Sequence, residues 1–185
     1  MDALPTPIIR RAAPGDVEQL AHVHTRAWQE TYVGLVPPIM WGEEALGHRL
    51  NMWRSLLEAP EHRQTPTWVA EVVSAAAPSG LIVGFARAGT PTAEPVPTDP
   101  RGADGRPAAP RPLELHMIYV LAEFHGTGVG TALLRQALGD APAYLWVARD
   151  NPRARRFYER EGFRPDGAEK IDERFANLAE VRLVR

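Results

Sequence analysis

The chain has 185 residues, enough for one domain with a real hydrophobic core. Apolar residues make up 44%, charged residues 24%, and the formal net charge is −2; this is an ordinary soluble composition and argues against a dominant nucleic-acid surface. There is no cysteine, which excludes a disulfide scaffold, a thiol nucleophile and a thiolate metal site, and suits a reducing, cytoplasmic setting.

Residues 8–11 predict a short strand. Asp16 with Gln19 three positions on resembles a capping box. The helix behind it runs to about Glu30, with Val17, Leu20, Ala21, His24, Ala27 and Trp28 as its inner stripe. Gly34, Pro37 and Pro38 break the pattern between Tyr32 and Met40. A second helix covers 43–57, where Leu46, Leu50, Trp53 and Leu57 recur at helical spacing. Residues 67–73 and 81–87 alternate and are rich in β-branched and aromatic residues; with the linker 74–80 they predict an antiparallel pair. Residues 89–110 are dominated by Pro, Gly, Ala and Asp, and predict a flexible loop inside one domain spanning 1–185, either a lid or tolerated disorder.

Residues 112–121 predict a long strand, 127–138 a helix and 143–147 a strand. Asn151 is placed to cap the next helix, with Pro152 at its first position and Gly162 at its end. Residues 163–165 and 178–184 supply the last two strands. No segment reaches the ~18 apolar residues needed to span a bilayer, and the first residues lack the apolar core of a signal peptide.

The most informative stretch is His125-Gly126-Thr127-Gly128-Val129-Gly130-Thr131. It lies between an apolar strand and an amphipathic helix. Such a turn presents successive backbone N–H groups at a helix N-terminus, a ready seat for phosphate or pyrophosphate. A P-loop needs Lys-Ser/Thr after the final glycine, whereas Thr131 and Ala132 follow here. A dinucleotide fold places its glycine turn early, and this one comes after two-thirds of the chain.

The segment 115–120 with the turn 125–130 resembles the central strand and pyrophosphate loop of the GNAT superfamily of acyl-CoA-dependent N-acetyltransferases, usually written Q/R-x-x-G-x-G/A. His125 stands where Gln or Arg is commonest. Residues 151–163 resemble the family's second strong signature, and Trp28 through Gly34-Leu35 to Pro37 resembles the entry of many bacterial members. The loop at 89–110 is the unmatched part.

The resemblance implies an α/β (α+β) fold: a central mixed, mostly antiparallel sheet opened into a V and flanked by helices. It implies acetyl-CoA as donor, with the pantetheine arm paired to backbone at Tyr119, Val120 and Leu121 like an added strand. The pyrophosphate would sit over His125, Gly126, Thr127, Gly128, Val129, Gly130 and Thr131, with Arg153 and Arg155 near the CoA phosphates. Asn151 would cap its helix and touch the pantetheine. A protonated His125 would add a contact. The amide of Tyr119 or Val120 is a plausible donor to the thioester oxygen.

Transfer needs a neutral amine, yet a primary alkyl amine has a pKa near ~10. A carboxylate can take the proton, directly or through water. Glu114 is the first candidate by family likeness, and His116 is a second base or an orienter. Along one strand Glu114, His116 and Ile118 share a face, and Leu115, Met117 and Tyr119 the other, unless a bulge at about Met117 or Ile118 resets the register. Tyr158 matches the family tyrosine that protonates the CoA thiolate; Phe157 is then the core member of the pair. Trp28, Tyr32 and Leu35 would face the acceptor, a small-molecule or peptide amine. Trp28 and Tyr32 with Trp41 can form an aromatic wall, and suit a core stripe equally well.

No metal site is expected, since His22 and His24 point apart and His48 and His62 lack companions. Arginines 149, 153, 155, 156 and 160 cluster, but Asp150, Glu159 and Glu161 dilute any RNA-facing patch. No nucleic-acid or membrane partner is therefore expected; a homodimer is common in the family, with no surface here to fix it. The rival from another class is a non-catalytic acyl-CoA-binding or sensing protein on the same fold.

Overall fold

The computed structural model describes residues 7–58, 65–74, 77–91 and 110–185. In chain order these form β1 (Ile8–Arg11), α1 (Val17–Tyr32), α2 (Glu43–Glu58), β2 (Thr67–Ser74), β3 (Ala77–Gly89), β4 (Leu113–Val120), α3 (Val129–Leu138), β5 (Ala143–Ala148), α4 (Pro152–Arg160), β6 (Arg164–Asp172) and β7 (Leu178–Val184). One sheet contains all seven strands in the order β1-β2-β3-β4-β5-β7-β6. Every neighbouring pair is antiparallel except β4 and β5, which run parallel.

That parallel pair has only two matched positions, Leu113 with Ala143 and Glu114 with Tyr144. Beyond them the strands part, so the sheet opens between β4 and β5. The cause is partly local. In the β3–β4 ladder Arg87 faces Met117 and Ala88 faces Leu115, which leaves His116 as the extra residue of a bulge. A bulge bends its strand and raises its twist, turning the remainder of β4 away from β5. It sits one residue before the expected position, and beyond it the face alternation restarts.

α1 buries Val17, Leu20, Ala21, Val23, His24, Ala27 and Trp28, the stripe its spacing predicts. Val17, Leu20, Ala21, Val23 and Ala27 pack with Trp53 of α2, Phe85 of β3 and Leu133 of α3 into the larger core. Leu145 and Val147 of β5, Tyr158 of α4, Phe163 and Leu183 of β7 form the core of the other arm.

Several local expectations change. Asp16 and Gln19 form no capping box. The Asp16 carboxylate instead accepts from the Ala13 amide (2.8 Å) and the Arg10 guanidinium (2.7 Å), and Gln19 accepts from the Ile82 amide of β3 (3.0 Å). Asp16 is held by its own neighbours before the helix, and Gln19 by a distant strand that a local motif cannot reveal. α3 starts at Val129 rather than Thr127, because Gly128 is the left-handed residue before it (φ +89°). The strand expected at 163–165 is much longer. It runs to Asp172 past a register break between Pro165 and Glu169, and its exposed polar residues hide the period-2 signal. Phe157 is half-buried, whereas Tyr158 is the buried member of that pair. Most of the expected flexible loop, residues 92–109, lies outside the described residues. Among the described residues no helix is long and apolar enough to cross a membrane.

Candidate active site

The opening between β4 and β5 leads into a cavity of about 410 Å³. Its wall is β4 itself, from Leu115 to Val120, along the stretch that has lost β5 as a partner. One end of the cavity is the glycine turn, with Gly126, Gly128, Gly130 and Thr131 exposed to it. Gly126 and Gly128 are left-handed (φ +78° and +89°), and a Cβ on either would meet nothing within 4 Å. Glycine is thus needed there for backbone conformation and leaves open space above the turn. The first intrahelical bond of α3 runs from the Ala132 amide to the Gly128 carbonyl (3.0 Å). The amides of the preceding turn have no helical acceptor and carry the positive end of the helix dipole.

The two ring nitrogens of His125 are both engaged. Nε2 lies 2.8 Å from the Val120 carbonyl, which can only accept, so the ring carries its hydrogen there. Nδ1 then accepts from the Arg153 guanidinium (2.8 Å), which lines the cavity. His125 thus aims Arg153 rather than adding a cation of its own. The Asn151 side chain caps α4 by accepting from the Ala154 amide (3.0 Å), and also faces the cavity. The Thr127 hydroxyl donates to the Phe124 carbonyl, and the Thr131 hydroxyl to Glu161. Leu121, Thr127, Val129 and Arg155 do not line this cavity; Arg155 reaches back to the Arg149 carbonyl (3.3 Å). Arg160, from the arginine cluster, lines it.

A second cavity of about 770 Å³ lies beside the first. The two share Tyr32, Leu115, His116, Met117, Tyr119 and Trp146, so they meet at the bulge of β4. Tyr158 lines the first cavity, and its burial, with the Tyr119 hydroxyl nearby, pushes its phenol above the usual range. Glu114 lines the second cavity and is buried; its Oε2 accepts from the Tyr144 hydroxyl (3.2 Å). His116 Nε2 lies 3.9 Å from the same oxygen and 3.0 Å from the Thr90 carbonyl, to which it donates.

Trp28 and Tyr32 line the second cavity. Leu35 does not: it packs, with Trp41, against the small cluster of Trp28, Val36, Ala148 and Leu178. The Tyr32 and Tyr119 hydroxyls are 3.2 Å apart, and burial raises both phenols above their ordinary value. The far wall comes from β6 and β7, which contribute Lys170, Asp172 and Glu180, none of them singled out from the sequence. Burial pushes the Glu180 carboxyl up against the opposing pull of Lys170, 3.2 Å away. Lys170 also sits over the Trp146 ring (4.5 Å). The alternation of Lys170 with Asp172 was the available signal, lost because the strand was drawn too short. Arg49 of α2 was missed as well.

The family model described as acetyltransferase (GNAT) family matches residues 22–163. The chain is 26% identical over 163 residues to a probable N-acetyltransferase of Mycobacterium tuberculosis, covering 86% of this chain and 80% of that one. The PaiA N-acetyltransferase of Thermoplasma acidophilum, solved in complex with coenzyme A, superposes with a TM-score of 0.60 at 20% identity, over 96% of this chain and 98% of that one. The yncA protein of Salmonella typhimurium, solved with its cofactor acetyl-CoA, gives 0.59 at 18%, over 97% and 92%. These superpositions show the fold, and the family match extends over most of the chain. The open seven-stranded sheet, the glycine turn ahead of α3 and the capped α4 all lie in one molecule that belongs to the acetyltransferase (GNAT) family.

Proposed function

We propose that the protein moves an acetyl group from acetyl-CoA directly to a primary amine of a small molecule or peptide. The observation that carries this reading is the meeting of two cavities at the β4 bulge. One has the glycine turn and an unpaired strand edge, and the other is lined by aromatic and acidic side chains. The fit to the donor is chemical. The turn offers helix-terminal amides to a pyrophosphate, and the free edge of β4 offers ladder partners to the amides of pantetheine. Arg153, held by His125, adds positive charge beside the turn.

Bound there, acetyl-CoA supplies the activated acetyl thioester. The remaining work falls to side chains of this chain. Glu114, oriented by Tyr144 and neighboured by His116, takes the proton from the incoming ammonium, directly or through water. The amide of Tyr119 or Val120 polarises the carbonyl. Tyr158, kept protonated by its burial, donates to the departing sulfur. The absence of cysteine is consistent with direct transfer rather than a thiol-borne acyl enzyme.

The test is a panel of amines offered with acetyl-CoA to purified protein, following free thiol and the N-acetylated product by mass spectrometry. Equal release of thiol and acetylated amine supports the reading. Saturable acetyl-CoA binding with no release from any amine would instead make the chain a binding or sensing protein.

A further inference from the structure

The acceptor-side cavity holds one buried cation with no carboxylate beside it. Its four lining carboxylates, Glu44, Glu114, Asp172 and Glu180, each have a cation or an imidazole nitrogen within 3.9 Å. Arg49, which lines the same cavity from α2, has no carboxylate partner among the described residues. It is nevertheless only 8% exposed. Its guanidinium donates to the Met40 carbonyl (2.9 Å) and, weakly, to the Thr25 hydroxyl (3.4 Å), and stacks over the Trp28 ring (5.0 Å). Both acceptors are neutral.

An uncharged amide could satisfy a carbonyl and a hydroxyl without placing a cation in a buried position. Burying a charge without a counter-charge is costly, and mutation data show that such groups are normally paired. Arginine has five N–H donors in a planar fork shaped for a carboxylate, and only two are accounted for here. Burial pulls the Arg49 pKa down, against a smaller opposing effect of Tyr119. We infer that the amine acceptor also carries a carboxylate, and that Arg49 is the specificity residue that receives it. The amine then lies toward Tyr119 and the bulge, where the cavities meet, and the apolar part of the acceptor lies against Trp28. Phe175, whose ring is 4.9 Å from that of Trp28, extends this apolar wall. The acceptor class is an amino acid or similar compact amine with an acidic group.

This inference rests on the transfer reading above, and its test separates the two. Three matched pairs are used as acceptors: phenylalanine and phenethylamine, leucine and isopentylamine, methionine and 3-(methylthio)propylamine. The wild-type protein should acetylate the acid of at least one pair with a kcat/KM about 10-fold or more above its decarboxylated partner, the scale of a charge-assisted hydrogen bond. Arg49→Met should erase that ratio by raising the KM for the acid, while the amine is little changed. Arg49→Lys, which keeps the charge but not the fork, should restore part of it. Turnover of the amines equal to or better than the acids in wild type overturns the inference and leaves the transfer reading standing. If no member releases thiol, calorimetric binding of the same pairs to the CoA-loaded protein decides the inference by itself. Tighter binding of an acid, lost in Arg49→Met, supports it, and equal or absent binding overturns it. The wild-type comparison needs no variant to fold.

Discussion

At the scale of single residues, two buried side chains make opposite statements about protons. In the proposed reaction Tyr158 must keep its proton to donate it, and burial does so by penalising the phenolate. Tyr158→Phe keeps the ring in its packing against Phe163 (6.0 Å between ring centres) and removes only the hydroxyl. The expected result is a fall in kcat of about 100-fold, the lower end of a general acid's contribution, with the acetyl-CoA KM little changed. Steady-state kinetics with saturating amine checks this. His24 is different. Its ring is packed among Trp28, Trp53, Phe85 and Tyr119, its Nδ1 has no hydrogen-bond partner, and burial, aided by Arg49, holds its pKa well below the usual value. An unfolded imidazole takes a proton near pH ~6.5, whereas the folded one does not until well below that. The unfolded state therefore binds more protons below ~6.5, and stability falls as pH falls through that value, by up to about 1.4 kcal/mol per pH unit. Urea denaturation from pH 7.5 to 5.5 should show this slope in wild type and a flatter one in His24→Phe.

At the scale of elements, the glycine turn and the splay of β4 from β5 do the positioning. Gly128→Val forces a β-branched residue into the left-handed region, at a cost of about 1–3 kcal/mol. Because the strain falls on the turn proposed to receive the pyrophosphate, the acetyl-CoA KM should rise about 10-fold or more, alongside a drop in Tm, while the acceptor KM moves little. These elements were also the most legible. The turn announces itself through three alternate glycines, and α1 through a stripe repeated over four turns. Asn151, Pro152 and Gly162 bracket α4 with residues whose local chemistry decides their positions. The features that stayed hidden share a cause. The bulge at His116 and the partner of Gln19 are set by contacts far away in sequence, and the length of β6 by its pairing with β7. No window of neighbouring residues encodes them.

At the scale of the whole molecule, the sheet is two arms joined by a two-residue ladder, with two core clusters that α3 and β4 both border. The donor half of the site was largely readable, since backbone and glycine build it and both leave sequence marks. The acceptor half was not. Its walls come from α1, α2, β4, β6 and β7, brought together only by the closed fold, so Trp146, Arg49 and Glu180 carry no local signal of their role. A ligand that spans the opening should tie the arms together. Coenzyme A at about 100 times its Kd adds ~2.7 kcal/mol of stability by mass action. For a chain of this size that raises Tm by about 5–10 °C, and differential scanning fluorimetry against CoA concentration should record it.

The most direct measurement is a crystal structure of the protein with coenzyme A. The pyrophosphate should lie on the amides of residues 126–130, the pantetheine along β4 between Met117 and Val120, and the sulfur within about 3.5 Å of the Tyr158 hydroxyl on the side facing Glu114. A coenzyme seated elsewhere, or a sulfur directed away from Tyr158 and from the junction of the two cavities, would contradict the assignment of this opening as the place of acetyl transfer.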